Sequence, residues 1–390
     1  MRYGVLRGRR PPRLFLILGL AALVLLGGAG TGVALIGGGT DGGAAGLGRE
    51  LRAASPKPLP TTTTSTAPTT TSTTAPAPPP APASVAADPG PPTDLPLPGC
   101  PPPPYTGPPP TPPWHPAHLV PDSQLPAAPA PPPGGRNALT AIAGKGMWIW
   151  QPASTDGGDV NATVADAVKA GLHQLWVRVG DSENGFYGAD YLSRLVPAAH
   201  AAGVAVVGWG FPYLFDPEGD ARWTDAVIGW HTADGQHLDG YSADIETSSE
   251  GVALSPPRVA VYLGLVRRWA PKELLVATVF PPTDSNLVTY PYSTMAPYID
   301  AYAPMVYWGC LQPVTAARQA MTRLQPLAPV HVIGQAYDMG PYGGRVGAPA
   351  ADELDAFMAA ARQGGALGAS FWSWQAMNGP EWAALRQFKW

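Results

Sequence analysis

The segment Asp239-Gly240-Tyr241-Ser242-Ala243-Asp244-Ile245-Glu246 places acidic side chains two residues apart in a run that reads as a buried strand. Alternate residues of a strand share a face, so Ser242, Asp244 and Glu246 point the same way. Ionised carboxylates are costly to bury without partners, and burial raises their pKa. A glutamic acid kept protonated by a neighbouring carboxylate at a strand end is suited to acid/base work, giving its proton to a leaving oxygen. The bland alternative is a buried polar network in which a basic group such as Arg178 balances the two charges.

The elements that must position these groups lie between Asn137 and Trp390, where apolar runs alternate with helical stretches. That alternation is the signature of a parallel sheet with crossover helices. Strands are predicted at roughly 146–150, 174–179, 204–210, 240–246, 274–280, 301–307, 330–336 and 369–374. Helical stretches are clearest at 162–170, 191–202, 257–269, 314–324 and 351–362. Eight strand-helix units over about 250 residues predict an α/β fold, the (β/α)₈ TIM barrel. An open doubly wound sheet is the alternative, but its Gly-rich turn after the first strand is missing.

Active-site residues of such a barrel sit at the C-terminal ends of the strands. Those ends hold Trp150 and Gln151, Asp181, Trp209 and Tyr213, Asp244 and Glu246, Asp284, Tyr307 and Trp308, Gln335, Tyr337 and Asp338, then Trp372, Trp374 and Gln375. Carboxylates, phenols, amides and indoles together suit a carbohydrate: aromatic faces pack on sugar C–H faces while acids and amides take hydroxyls. The candidate substrate-binding residues are Trp150, Trp209, Trp308, Gln335, Tyr337, Asp338, Trp372 and Trp374. Large aromatics also fill barrel mouths, and loop aspartates also cap helices and turns.

The segment DGYSADIE resembles the strand-four motif D-G-x-D-x-D-x-E of the family 18, chitinase-type glycoside hydrolases, matching at Asp239, Gly240, Asp244 and Glu246. Met305-Val306-Tyr307 is similar to the strand-six M-x-Y motif of that family, and Trp372 or Trp374 to the tryptophan that floors its sugar pocket. The resemblance covers residues 137–390. It implies Glu246 as proton donor, Asp244 as the residue that orients the sugar's own 2-acetamido group, and Tyr307 as the holder of that group's carbonyl oxygen. Two positions depart from the pattern: Ser242 replaces the first inner aspartate, and Trp308 replaces the Asp that usually continues the strand-six motif. A short D-x-E on strand four also occurs in family 25, lysozyme-type muramidases, the second resemblance, although the strand-one aspartate those enzymes use is not evident in GMWIWQ. If the substrate has no acetamide, a second carboxylate must work with Glu246, and Asp338, Asp181 and Asp284 are the candidates in that order.

The remainder of the chain bounds where such an enzyme works. Leu14 to Ile36 is an almost uninterrupted apolar run, preceded by Arg2, Arg7, Arg9, Arg10 and Arg13. It is long enough to cross ~30 Å of hydrocarbon, and the arginines predict a cytoplasmic N-terminus with the rest exported. The expected organisation is a basic segment 1–13, a transmembrane signal anchor 14–36, a disordered Pro/Thr/Ala-rich linker 37–136 and the barrel 137–390. A cleaved signal peptide is the competing reading. Cys100 and Cys310 are the only cysteines, open either to one bridge or to two separate thiols. A formal net charge of −4, with no basic run beyond the N-terminus, argues against a nucleic-acid partner. No cofactor, metal spacing, phosphate loop or G-x-S-x-G elbow is found, and no protein partner is inferred. The reading is an extracytoplasmic glycoside hydrolase acting on a polysaccharide with N-acetylated amino sugars, chitin-like or peptidoglycan. Its rival is a catalytically silent barrel that binds wall glycan.

Overall fold

The computed structural model describes residues 118–133, 136–342 and 344–390. In chain order the elements are β1 (Gly144–Ile149), α1 (Val160–Ala170), β2 (Gln174–Asp181), β3 (Gly185–Phe186), α2 (Ala189–Ala201), β4 (Ala205–Phe211) and α3 (Pro217–Ile228). There follow β5 (Gly240–Asp244), α4 (Pro256–Trp269), β6 (Leu275–Val279), α5 (Asp284–Thr289), α6 (Tyr292–Met295) and β7 (Ala301–Val306). The chain closes with α7 (Pro313–Leu324), β8 (Val332–Gln335), α8 (Ala351–Gln363), β9 (Gly368–Trp372) and α9 (Gly379–Gln387).

Parallel pairing runs from β1 through β2, β4, β5, β6, β7 and β8 to β9, and β9 pairs back onto β1. The eight parallel strands therefore form a closed (β/α)₈ barrel, as the alternation of apolar runs predicts. The strand ends fall within two residues of the predicted ones. The short β3 is an addition, turned antiparallel onto the mouth end of β2 at Asp181 and Gly185. The segments α3, α5, α6 and α9 are helices that the sequence pattern did not announce.

Local chemistry explains the helices that flank the site. Ser255 caps α4 by accepting a hydrogen bond from the Arg258 amide, Pro256 opens it, and Arg267 and Arg268 lie in the last turn, where they complement the helix dipole. Val259, Leu263 and Val266 recur at helical spacing and are buried against the sheet.

Two apolar layers result. Side chains facing outward from the strands meet the helices, while those facing inward fill the barrel. The inner layer is rich in indoles: Trp148 stacks on Trp176 with centroids 4.8 Å apart and lies 5.6 Å from Trp209. Gly146 makes this possible, because a Cβ at that position would stand 2.9 Å from Trp176 Nε1. Below the indoles His331 bridges Ile142 O and Ser370 Oγ, and burial drives its pKa down to about 4. The barrel is thus plugged by neutral side chains under the mouth.

Residues 118–133, in the stretch the sequence assigns to the linker, lie along the barrel. The Val120 amide donates to Phe215 O above β4, Asp122 pairs with the buried Arg258 of α4 at 2.7 Å, and Tyr298 Oη donates to Pro129 O. At the opposite end the Asn137 amide donates to Asp300 Oδ1 at 2.8 Å, and Asp300 is clamped by Arg267 at 2.6 Å. Among the described residues no helix is long and apolar enough to cross a membrane. The predicted span Leu14–Ile36 and most of the predicted linker lie outside the described residues. Cys310, just past β7, is disulfide-bonded.

Candidate active site

Strand β5 delivers Ser242 and Asp244 to the inside of the barrel, and the chain continues extended enough to bring Glu246 in above them. Ser242 shares a hydrogen bond with Thr278 of β6 at 2.8 Å. Asp244 is 6 % exposed and Glu246 1 %. Asp244 Oδ1 and both carboxyl oxygens of Glu246 have no hydrogen-bond partner. Buried polar atoms are nearly always satisfied, so three partnerless carboxyl oxygens on two neighbouring acids mark a place where stability yields to something else.

Electrostatics separates the pair. Burial lifts Asp244 to about 7, with the Arg178 guanidinium pulling it down and Glu250 pushing it up. Glu246 is held well above the ordinary carboxylate range by burial first, then by Asp244 and Glu250, and no cation opposes them. Its other side faces a cavity of about 150 Å³ lined by Phe280, Pro281, Met305, Tyr307 and Met339. Apart from the Tyr307 hydroxyl those walls are apolar and solvate an anion poorly. Burial thus favours the protonated form of Glu246 with no cation to oppose it, and Glu246 borders the cavity.

The strand-end residues sort by the alternation of the strands. Tyr307 lines the cavity with Glu246 and meets Tyr337 edge-on at 5.5 Å; burial raises its phenol well above the usual value. Trp150 and Trp372 are half-buried and rest on the inner indole layer, with Trp372 5.5 Å from Trp209. Gln335 accepts from the Gly309 amide and donates to Tyr337 O, tying the ends of β7 and β8 together. Trp209 is 2 % exposed and donates to Ile149 O, which makes it part of the barrel filling beneath the mouth.

Other candidates face elsewhere. Trp308 follows Tyr307 and so points outward, where it packs on Phe357 of α8 at 5.1 Å. Trp374 likewise meets Trp382 of α9 at 4.8 Å. Of the two tryptophans that could floor the pocket, the inner one is Trp372. The predicted second carboxylates are engaged: Asp338 is exposed and caps the Gly340 and Gly347 amides, and Asp284 is exposed and paired with Arg323. Asp181 binds Arg178 at 3.2 Å and takes the amides of Glu183 and Asn184 on its other oxygen.

The carboxylate that does approach the pair is Glu250, on the loop after β5. It is half-buried, its Oε2 has no partner, and its pKa is raised by burial. Sequence reasoning passed over it, since Thr247-Ser248-Ser249-Glu250 has the composition of a solvated turn. Asp239, the first residue of the motif, stands at the far end of β5, where it accepts from the Val206 amide at 2.7 Å and shares a hydrogen bond with His200 at 2.9 Å. Among the described residues no group of His, Cys, Asp or Glu is arranged to hold a metal ion.

No family model matches the chain, and no curated protein is similar to it. Solved structures are. A chitinase from Chromobacterium violaceum is 10 % identical over 63 % of this chain and 98 % of its own, with a TM-score of 0.48. The spore cortex-lytic enzyme SleL of Bacillus cereus is 12 % identical over 66 % of this chain and 76 % of its own, with a TM-score of 0.49. An endo-beta-1,4-mannanase from Thermotoga petrophila is 9 % identical over 63 % and 76 %, with a TM-score of 0.48.

Proposed function

We propose that the barrel is a glycoside hydrolase of N-acetylated amino-sugar polymers, chitin-like chains or peptidoglycan, with Glu246 as general acid. The observation that supports it most is the buried Glu246 carboxyl, with neither oxygen partnered, beside Asp244 with one, bordering a cavity shared with Tyr307. In the reaction Glu246 gives its proton to the glycosidic oxygen as the bond from that oxygen to the anomeric carbon breaks. The carbonyl oxygen of the substrate's 2-acetamido group bonds to the anomeric carbon, forming a cyclic oxazolinium ion. Asp244, as the anion, balances the charge on its N–H, and Tyr307 donates to the acetamido oxygen. Water then attacks the anomeric carbon, the ring opens back to the acetamide, and Glu246 recovers a proton from that water. This scheme needs no protein nucleophile, an exception to the two-carboxylate rule.

The apolar run Leu14–Ile36 and the Pro/Thr-rich stretch after it favour an exported barrel, tethered to the cell membrane on a stalk that reaches across the wall. The test incubates the full chain with N-acetylglucosamine oligomers and with purified peptidoglycan, beside Glu246→Gln and Asp244→Asn. Cleavage lost in Glu246→Gln supports the enzyme. Turnover that survives Glu246→Gln removes it from the role of acid, and binding without turnover in every version makes the barrel a glycan-binding module.

A further inference from the structure

Ser242 stands where a further carboxylate would complete the strand-four acidic row, so the charge balance of the pair must be set by something else. Arg178 of β2, Trp209 of β4 and Ser242 of β5 lie side by side in register on adjacent strands. Their side chains point inward at one level, and Asp244 is the next inward residue above Ser242. The guanidinium carbon of Arg178 sits 5.5 Å from the Trp209 ring centre, and one nitrogen binds Asp181 Oδ2 at 3.2 Å. A planar fork stacked on an indole and held by Asp181 has a fixed position, which a lysine would lack. Asp181 does not cancel it fully, because the other oxygen of Asp181 accepts from the Glu183 and Asn184 amides and the Asn184 side chain.

We propose that Arg178 is the positioning residue that decides which carboxyl of the pair holds the proton, keeping Asp244 the anion so that Glu246 remains the acid. The inference rests on the glycosidase reading of the same site and deepens it. Its support in the surroundings is an asymmetry: the Arg178 charge acts on Asp244, whereas Glu246 feels only Asp244 and Glu250. The other titratable groups around Arg178 are Asp181 on its own strand, Tyr187 from β3's hairpin and Tyr213 after β4, with both phenols raised to about 12. Across the mouth Tyr307 and Tyr290 are raised well above their usual values. None of these phenols ionises near neutrality, so Arg178 and the four carboxylates Asp181, Asp244, Glu246 and Glu250 govern the order.

The experiment reads side-chain carboxyl carbons by NMR through a pH titration of the full chain without substrate, with Asp244→Asn and Glu246→Gln assigning the two steps. Arg178→Gln is expected to raise the Asp244 step by about one pH unit or more, the effect of removing a close opposite charge, and Arg178→Lys, which keeps the charge but not the fixed fork, to restore only part of it. Asp181→Asn, which unmasks the guanidinium, is expected to move the step downward. If Arg178→Gln does not fold, the Asp181→Asn shift and the Arg178→Lys titration decide. An Asp244 step unmoved in Asp181→Asn and Arg178→Gln, or moved equally by Gln and Lys, overturns the role. Because the titration uses no glycan, shifted steps in a protein that cleaves nothing would sink the glycosidase reading and leave this one standing.

Discussion

Asp239 and Asp244 bracket a single strand and belong to opposite ends of the barrel. Asp239 is knitted into the foot by the Val206 amide at 2.7 Å and by His200 at 2.9 Å, while Asp244 opens into the mouth with Oδ1 unpartnered. Five residues of extended chain span at most about 17–18 Å. One end of the acidic motif therefore fixes β5 against β4, and the other is free to act.

That division makes the two aspartates separable by mutation. Asp239→Asn keeps a side chain that can accept from Val206 but weakens the His200 contact, so a loss of roughly 1 kcal/mol in stability is expected. Turnover per folded molecule should not change. Asp244→Asn should cut turnover by about 10²-fold or more with little effect on thermal unfolding below pH 5. Unfolding curves and rates measured on the same preparations would refute the division if Asp239→Asn lowered kcat as Asp244→Asn does.

The tryptophans separate in the same way. Trp374→Ala removes an indole wedged against Trp382 outside the sheet, with an expected cost of about 3–5 kcal/mol. Trp372→Ala truncates a half-buried ring at the mouth, so its main effect should be a rise in KM for oligosaccharides, with a smaller loss of Tm. Trp308→Phe should leave KM unchanged, because Trp308 faces α8. A Trp308→Phe enzyme with weakened glycan binding would contradict that assignment.

The fold was legible because each strand is a run of apolar residues bounded by breakers and each helix but a few has a strong apolar stripe. The helix α3 was not, since its buried face is Pro217, Asp220, Ala221, Thr224 and Val227, too small and polar to register as a stripe. That Asp244 and Glu246 share the inner face was legible from spacing alone. The outward turn of Trp308 was also available: once Met305 and Tyr307 face inward, strict alternation sends Val306 and Trp308 the other way. Glu250 was not, because only the path of the loop after β5 brings it back over Asp244 and Glu246, and spacing along the chain does not encode that return.

The seam that residues 118–133 and 136–137 make with the barrel should be part of the folded unit. Asp300 accepts from Arg267, the Leu275 amide and Asn137 and is 3 % exposed. Removing one partner of such a buried pair costs about 3–5 kcal/mol, so Asp300→Ala should lower the denaturant midpoint sharply. A chain truncated to begin at residue 138 should also be less stable than one beginning at 118, because it leaves Arg258 buried without Asp122. Equal midpoints for the two truncations would show that the seam adds nothing to stability.

The acid pair itself should be a cost to the fold that appears as pH rises. Burial lifts Asp244 to about 7 in the folded protein against an ordinary 3.8, and holds Glu246 well above its own ordinary value. Between about pH 4 and pH 7 the native state therefore binds more protons than the unfolded chain, and the linkage relation makes stability fall as pH increases through that interval. The slope from Asp244 ends above about pH 7, where both states have lost its proton, and Glu246 adds a slope of the same sign. Replacing either carboxyl by its amide removes the charge that burial penalises. Glu246→Gln and Asp244→Asn are thus expected to gain roughly 1–2 kcal/mol at pH 7–8, as active-site replacements often do, and little at pH 4. Tm followed from pH 4 to pH 8 tests the sign directly: a wild-type curve that rises over that range relative to Glu246→Gln would mean that Glu246 meets a cation when ionised, and would remove the reason for calling it the acid.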